Sequence, residues 1–365
     1  MKELGLRMVA VALGLVLSLV AAEGLMRLLP VATGTFAEPV NASAPVFHFV
    51  PNRDFIWSSD WYFSIVNRGR TNNVGFVNDQ DYAAADRRPL IGVVGDSYVE
   101  AFQIPYPQTF HGRLAADLRE RMRCYSFAAS GAPLSQYLVW MRYARQQYGA
   151  DALVVVVIAN DFDESLAEFK IGPGFHHYVE EGGDLTLKRF DYGPGWVRPI
   201  IQRSALARYL LLNLHADETL AGWLAGFGIG TARAAPPVFV GNVPAEYDEH
   251  RLVQSQRAVA AFFRDLPAYA DLPNQRILFV VDGLRYPASL SVSDSYFGRM
   301  RRYFMAEARR LGYAVIDADD QLIPYAVAHP DARFEWPTDG HWNPLANGLI
   351  AAAILNSSWI DGLGR

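Results

Sequence analysis

Residues 90–98 read Leu-Ile-Gly-Val-Val-Gly-Asp-Ser-Tyr, an apolar run that ends abruptly at the polar pair Asp96 and Ser97. An uninterrupted apolar run of this length is typical of a strand that is buried on both faces of a sheet. Similar runs alternate with helical patterns along the chain, and we expect strands at residues 90–94, 123–127, 152–158, 276–281 and 313–317. This alternation predicts an α/β fold with a mostly parallel five-stranded sheet flanked by helices.

Helical periodicity appears between these runs and near the C-terminus. Apolar residues recur with a helical period over residues 109–121, 134–148 and 345–355. In the first of these segments Phe110, Leu114 and Leu118 fall on one face. Asn343 and Pro344 are suited to cap and begin the last helix.

The N-terminus has the pattern of an export signal. Lys2 and Arg7 precede a mostly apolar run over residues 8–22. We expect residues 1–30 to be a signal-anchor helix or a signal peptide, since Val20 and Ala22 are small enough to precede a cleavage site. The cationic flank should stay in the cytoplasm. The rest of the chain is then periplasmic and anchored in the inner membrane, or secreted if the segment is removed.

The remaining chain divides into an approach segment and a main domain. Residues 31–88 are expected to form a linker and a strand pair, residues 61–66 and 74–77, packed on the main domain. The main domain is expected over residues 89–358. Residues 163–249 break the strand–helix alternation with Gly- and Pro-containing segments, such as those at residues 172–174 and 234–237, around one helical run at residues 204–214. We interpret this part as an insertion.

Composition excludes several classes of protein. The 365 residues carry a formal net charge of −5 and are 51% hydrophobic, so the chain has a large core and lacks the basic surface expected of a nucleic-acid-binding protein. A single cysteine, Cys124, excludes an internal disulfide framework and a zinc site built from several thiolates. Its position within a predicted strand favours a buried, unreactive thiol.

Polar residues follow three of the predicted strands, where ligands bind in parallel sheets. Ser97 follows the first strand, Gly131 the second and Asn160 the third, and Asp339 and His341 lie near the C-terminus. A serine hydroxyl needs a neighbouring imidazole to remove its proton, and the imidazole needs a carboxylate to orient it. The sequence contains all three groups.

Taken in this order, the motifs resemble the four blocks of the SGNH (GDSL-type) hydrolase superfamily, which contribute Ser, Gly, Asn and His. The resemblance spans residues 89–355. It implies a flavodoxin-like three-layer fold, a catalytic triad of Ser97, Asp339 and His341, and an oxyanion hole formed by the backbone N–H groups of Ser97 and Gly131 and the amide of Asn160. It implies no cofactor and no catalytic metal. The Gly-x-Ser-x-Gly elbow of α/β-hydrolases is absent around Ser97.

One block departs from the family pattern. The superfamily places an aspartate three residues before the histidine, where this chain has Thr338, and Asp339 stands two residues before His341. A similar Asp-x-His-Trp arrangement occurs in SGNH-like proteins that O-acetylate bacterial exopolysaccharides. The resemblance therefore points to an esterase or O-acyltransferase acting on O-acetyl groups of cell-envelope or secreted glycans.

The sequence also allows two other functions. The enzyme could instead be a lipase or thioesterase whose insertion forms an apolar lid, with Leu206, Leu210, Leu211 and Leu214 on the helical run. Alternatively, the chain could be a noncatalytic glycan-binding scaffold in which Trp57, Trp61 and Tyr62 stack on sugars. The expected partners are an ester-bearing glycan or small molecule and the membrane.

Several polar residues have weaker claims to a role in the chemistry. Asp96 is expected to brace its loop, and Asp161, Asp163 and Glu164 are expected to form a structural or solvated cluster. His329 and Asp331 could join the two C-terminal triad residues in a metal site, but no further ligand is evident.

Overall fold

A computed structural model describes residues 2–216 and 239–363 of this chain. They form two compact units. Among the described residues, the first unit draws on residues 2–35, 54–69 and 194–216, and the second on residues 36–53, 70–193 and 239–363.

The described strands and helices follow in chain order. The strands are β1 (Asp54–Ser59), β2 (Ile65–Arg70), β3 (Leu90–Gly95), β4 (Arg123–Ala128), β5 (Ala152–Val157), β6 (His176–Glu181), β7 (Asp184–Arg189), β8 (Phe239–Val240), β9 (Val243–Pro244), β10 (Ile277–Val281) and β11 (Ala314–Asp317). The helices are α1 (Lys2–Met26), α2 (Ser97–Glu100), α3 (Phe110–Leu118), α4 (Leu134–Tyr148), α5 (Arg198–Arg203), α6 (Ala205–Arg208), α7 (Glu249–Ala270), α8 (Tyr296–Arg310), α9 (Asp319–Ala328), α10 (Pro344–Leu355) and α11 (Ser358–Leu363).

A parallel five-stranded sheet forms the centre of the second unit, in the order β11-β10-β5-β3-β4. In register, Gly95 at the end of β3 lies beside Ala128 at the end of β4, while Val94 pairs with Val155 of β5. The strand that follows β3 in the chain, β4, pairs with one side of β3, and the next strand, β5, pairs with its other side. The sheet therefore has a topological switch point between β3 and β5, which is where open α/β sheets bind ligands.

Apolar side chains on the two faces of the sheet belong to two separate core clusters. On one face, residues such as Val94 and Val155 belong to the same cluster as the buried sides of α4, α7 and α8. On the other face, residues such as Val93 and Val156 belong to a cluster with α3, α9 and α10. All residues of β3, β4 and β5 are buried, as expected of strands covered by helices on both sides.

The predicted fold class is confirmed. All five predicted strands are present within one or two residues of their expected ends, and α4 occupies residues 134–148 as predicted. The helix predicted over residues 109–121 is shorter, because α3 ends at Leu118. A three-layer α/β/α arrangement results.

The prediction of the strand pair in residues 31–88 was wrong in its bounds. Residues 61–64 form the turn between β1 and β2, so the first predicted strand overlaps only the start of β2. Residues 74–77 are not a strand, because the Asn72 side chain accepts hydrogen bonds from the N–H groups of Val74 and Phe76 and closes a turn there. The local apolar pattern did not reveal this capping contact.

The first unit contains α1, β1, most of β2 and the segment that begins at Pro194. Helix α1 is long and apolar enough to cross a membrane, and none of its residues is buried. The helical run predicted at residues 204–214 is present as α6 followed by a π-helical turn, Tyr209–Asn213.

The predicted insertion is divided between the two units. Its β6–β7 hairpin belongs to the second unit, and α5 and α6 belong to the first. Residues 217–238, including the Pro-containing segment at residues 234–237, lie outside the described residues.

Candidate active site

Ser97 is the first residue of α2 and lies directly beyond the carboxyl end of β3. The Asp96 side chain caps this helix by accepting a hydrogen bond of 2.9 Å from the Tyr98 N–H group. The turn requires a glycine before it, since a β-carbon on Gly95 would lie 2.4 Å from the Val99 side chain. Glycine at position 95 therefore allows the tight passage from β3 into α2, which places Ser97 at the switch point of the sheet.

The structure brings Ser97, His341 and Asp339 into one hydrogen-bonded chain. The His341 Nε2 atom lies 2.8 Å from Ser97 Oγ, and the His341 Nδ1 atom lies 2.5 Å from Asp339 Oδ1. These distances match those of a nucleophile, a base and an orienting carboxylate.

A tight turn explains how an aspartate only two residues upstream can meet the imidazole. The backbone groups of Trp336 and Asp339 bond to each other in both directions. Asp339 Oδ1 then accepts a second hydrogen bond, of 2.8 Å, from the backbone N–H group of His341. Such an aspartate turn is formed by contacts between neighbouring residues.

The carboxylates around the serine have different protonation tendencies. Burial opposes ionisation of Asp339, but hydrogen bonds and charge attraction from His341 outweigh burial and lower the pKa of this carboxyl group, with Gln103 contributing. Burial raises the pKa of Asp96 to about 6, although the N–H group of Tyr98 opposes this shift. Asp339 is therefore the carboxylate that is held ionised beside the imidazole.

A buried polar network supports the loop that carries His341. Arg285 donates to the Gly340 carbonyl oxygen at 2.7 Å and to the Tyr98 hydroxyl at 2.6 Å. It also forms an ion pair of 2.7 Å with Asp282, whose other carboxylate oxygen accepts from the Trp342 indole at 2.9 Å. One guanidinium thus connects the histidine loop to the helix that carries the serine.

Gly131 has the left-handed backbone conformation, with φ = +75°, in the loop after β4. The preceding residue, Ser130, donates its backbone N–H to Glu100 at 2.9 Å and also donates its hydroxyl to the same carboxyl oxygen. Glu100 lies in α2, three residues after Ser97, so it ties the serine helix to the Gly131 loop. Burial raises the pKa of Glu100 to about 8.

Asn160 lies in a short 3₁₀ turn, Ala159–Asp161, beyond β5. Its amide nitrogen donates to Glu164 at 2.9 Å, and its carbonyl oxygen accepts from the Asn242 amide. A side-chain amide has two N–H groups, so this nitrogen can donate a second hydrogen bond. Ser97, Gly131 and Asn160 thus follow three adjacent strands at one edge of the sheet.

The ammonium group of Lys170 lies close to Gly131. It donates to Glu164 at 2.6 Å, and it would lie 3.9 Å from a β-carbon added to Gly131.

A cavity of about 920 Å³ opens beside the Asp339 turn. Its lining combines aromatic and charged side chains, including Phe239, Arg333, Glu335 and Trp336, with Asp339 and Gly340. A concave site that joins an aromatic surface to a few charged groups is suited to a polar organic ligand.

The polar residues that the sequence did not assign to catalysis have structural partners. Asp161 is fully buried and accepts from the Ile158 N–H group and the Tyr137 hydroxyl, while Asp163 pairs with Arg251 at 2.7 Å. His329 packs on Tyr325, with ring centroids 4.3 Å apart. Within residues 2–216 and 239–363, no group of three or more His, Cys, Asp or Glu side chains could hold a metal ion.

The sequence analysis missed Glu100, Asp282, Arg285 and Gln103. Glu100 had a detectable signal, because it is the one charged residue among residues 97–110. Arg285 had none, since its contacts with Tyr98 and Gly340 join residues 187 and 55 positions away.

Several solved structures are similar to this chain. An acetyl xylan esterase is 12% identical to this chain, with a TM-score of 0.41. The match covers 74% of this chain and 99% of the esterase. A lipolytic protein of the G-D-S-L family from Veillonella parvula is 10% identical with a TM-score of 0.35, covering 74% of this chain and 97% of its own. A two-domain esterase active on acetylated mannans is 10% identical with a TM-score of 0.39, covering 76% of this chain and 50% of its own.

No protein-family model matches this sequence, and a search of curated proteins finds no match. At these identities and TM-scores, the function must be argued from the geometry of the site.

Proposed function

We propose that this chain is a membrane-anchored, extracytoplasmic serine esterase or O-acyltransferase of the SGNH type, acting on O-acetyl groups of cell-envelope or secreted glycans. The observation that carries the proposal is the hydrogen-bonded chain from Ser97 Oγ through His341 to Asp339, with distances of 2.8 and 2.5 Å. The catalytic roles follow from this arrangement.

In the first half of the reaction, His341 Nε2 removes the hydroxyl proton of Ser97 while Oγ attacks the carbonyl carbon of the ester. Negative charge develops on the carbonyl oxygen. The backbone N–H groups of Ser97 and Gly131 and the amide of Asn160 donate to it. The imidazolium then gives its proton to the leaving alcohol oxygen as the ester C–O bond breaks, leaving an acyl group on Ser97.

The second half repeats these steps with a new nucleophile. Neutral His341 removes a proton from water or from a hydroxyl group of an acceptor, whose oxygen attacks the acyl carbon. Collapse of the second tetrahedral species returns the proton to Ser97 Oγ and releases the acid or the new ester. Hydrolysis and transfer therefore use the same residues and differ in which nucleophile occupies the site.

The cavity beside the Asp339 turn supports a polar substrate. Its aromatic side chains, Phe239 and Trp336, could pack against a sugar ring, and Arg333 and Glu335 could bind hydroxyl or charged substituents. Leu206, one of the leucines considered for a lipase lid, lines a groove beside α1.

Replacing the nucleophile tests the proposal. We expect Ser97→Ala to lower turnover of an aryl acetate by about a thousandfold or more and to abolish labelling by a fluorophosphonate, because both need the Oγ atom. An exposed serine, as in Ser43→Ala, is the matched control and should leave both readouts unchanged. Full turnover by a folded Ser97→Ala protein would rule out the assignment. Adding an acetylated glycan with and without an acceptor glycan then separates acetate release from acetyl transfer.

A further inference from the structure

Glu23 joins the last turns of α1 to the segment that begins at Pro194. Its carboxylate accepts hydrogen bonds from the Ser204 hydroxyl at 2.8 Å and from the backbone N–H groups of Ala205 and Leu206 at 3.0 and 2.9 Å. Arg27 pairs with the same carboxylate at 2.8 Å and donates to the Arg203 carbonyl oxygen at 3.1 Å. These contacts hold α5 and α6 beside the end of α1.

Membrane geometry then fixes the depth of this junction. Helix α1 has 25 residues, a length of about 37 Å against a hydrocarbon thickness of about 30 Å. With Lys2 and Arg7 at the cytoplasmic end, as the proposed anchor requires, we expect Glu23 and Arg27 near the opposite interface. Leu19 and Val20 lie one turn deeper, within reach of acyl chains.

An open groove of about 590 Å³ runs along this junction. Its apolar wall is made by Leu19 and Val20 of α1 together with Pro199, Ile200 and Leu206. Its polar end is made by Glu23, Arg27, Arg203 and Ser204. Both arginines are exposed, and the Arg27 side chain keeps 62% of its accessible surface.

Exposed aromatic residues surround the same junction. Trp196, just before α5, is 82% exposed, and Trp61 and Tyr62 are 70% and 54% exposed. The Trp61 carbonyl oxygen accepts from the Tyr209 hydroxyl at 2.8 Å, which ties that aromatic pair to the segment that follows α6. Trp and Tyr side chains prefer the headgroup region of a bilayer, so their exposure is favourable at this depth.

We propose that the groove between α1 and α5 binds a phospholipid of the bilayer that α1 spans. One acyl chain lies against Leu19, Val20 and Ile200, and the phosphate lies near the guanidinium groups of Arg27 and Arg203. The groove is continuous with the membrane-facing surface of α1, which supplies lipid directly. The inference rests on the proposed retention of α1 as an anchor and is independent of the esterase chemistry.

Retention of the anchor is tested first, by the intact mass of the mature protein from membranes. A mass that includes residues 2–22 is expected. A chain beginning at or after Glu23 would overturn the lipid proposal while leaving the esterase proposal standing.

Lipid binding is then measured on the full-length protein in detergent, by native mass spectrometry with added phosphatidylglycerol. We expect the Arg27→Gln/Arg203→Gln variant to bind on the order of thirtyfold more weakly, since each arginine near a membrane surface contributes about a factor of five. Arg198→Gln is the matched control, because Arg198 lies on α5 but does not line the groove. Equal affinity of the double variant and the wild type, or equal weakening by the control, would overturn the site.

A second pair of variants tests the apolar wall. Ile200→Asp places a charge in the groove and should remove the bound lipid. Ile171→Asp is the matched control, because Ile200 and Ile171 are similarly exposed, at 49% and 51%, and it should leave the lipid bound. Lipid retained by a folded Ile200→Asp protein would contradict the proposed position of the acyl chain. If Ile200→Asp does not fold, the arginine variants decide. Thermal unfolding checks that each variant is folded.

Discussion

The hydroxyl group of Ser97 carries one hydrogen atom but lies near two acceptors. His341 Nε2 is 2.8 Å away, and Asp96 Oδ2 is 3.1 Å away. Asp96 already accepts from the Tyr98 N–H group, whereas His341 is backed by a second carboxylate that can stabilise an imidazolium. We therefore propose His341 as the base, while Asp96 braces the turn through its bond to the Tyr98 N–H group.

Replacing Asp339 tests whether the carboxylate or the turn matters. We expect Asp339→Asn to lower kcat by up to about ten-thousandfold, because an amide at this position favours the wrong imidazole tautomer. The measurement is turnover of one aryl acetate from about pH 6 to 9, compared with His341→Ala.

The control is Asp331→Asn, which changes an exposed aspartate in the same part of the chain and should be silent. A folded Asp339→Asn protein within about threefold of wild type would leave a Ser97–His341 dyad as the catalytic unit.

Glu100 makes the stability of the protein depend on pH. It is 2% exposed, and burial raises its pKa to about 8 from a reference value of 4.5. A carboxyl group with a raised pKa stabilises the fold fully below its unfolded pKa and loses this contribution as pH rises through the folded pKa. The stability of the wild type relative to Glu100→Gln should therefore fall between about pH 4.5 and 8, by up to about 1.4 kcal/mol per pH unit.

Thermal unfolding of both proteins from pH 5 to 8.5 measures this difference. Glu120→Gln is the control, since the Glu120 side chain is 85% exposed. A stability difference between wild type and Glu100→Gln that stays constant with pH would show that Glu100 is ionised throughout.

The segment that carries Asp339 and His341 depends on a buried arginine for its position. Arg285 has a positive φ of 70° and is 7% exposed, and it bonds simultaneously to Asp282, Tyr98 and Gly340. A planar guanidinium can satisfy these directions together, whereas a lysine ammonium cannot.

We expect Arg285→Lys to lower kcat by about tenfold to a hundredfold with little change in KM, because a small displacement of His341 affects the transition state most. Steady-state kinetics and the rate of fluorophosphonate labelling measure this effect. Arg310→Lys, at a side chain that is 64% exposed, is the matched control. Unchanged kcat in Arg285→Lys would mean that the turn formed by residues 336–339 positions His341 alone.

The division into two units has a consequence for the whole protein. The proposed catalytic residues and the parallel sheet belong to the second unit, and α1 belongs to the first. We expect a chain lacking residues 2–22 to be released from membranes by alkaline carbonate, because it loses the apolar helix but keeps Glu23 and its contacts.

The truncated protein should also retain its aryl-acetate hydrolysis and its labelling at Ser97. The full-length chain, fractionated in parallel, is the control. Loss of activity in a folded truncated protein would show that α1 contributes to catalysis as well as to anchoring.

Much of the fold could be predicted from the sequence because of how parallel sheets are buried. Strands such as β3 and β5 are covered on both faces, so each is an unbroken apolar run with a visible end. The order of Ser97, Gly131 and Asn160 after consecutive strands also placed them at one edge of the sheet. The strand pair β1–β2 was misplaced, since its bounds depend on turn contacts made by polar side chains such as Asn72.

The sequence by itself determined the α/β class, the positions of the central strands and the residue types available for acyl transfer. The tertiary structure decided which of these groups meet: the contact of His341 with Ser97, the contact of Glu100 with the Gly131 loop, and the network around Arg285. The physical reason is distance along the chain. Apolar periodicity is a local property, whereas the burial and partners of a polar group depend on residues that fold next to it from far away.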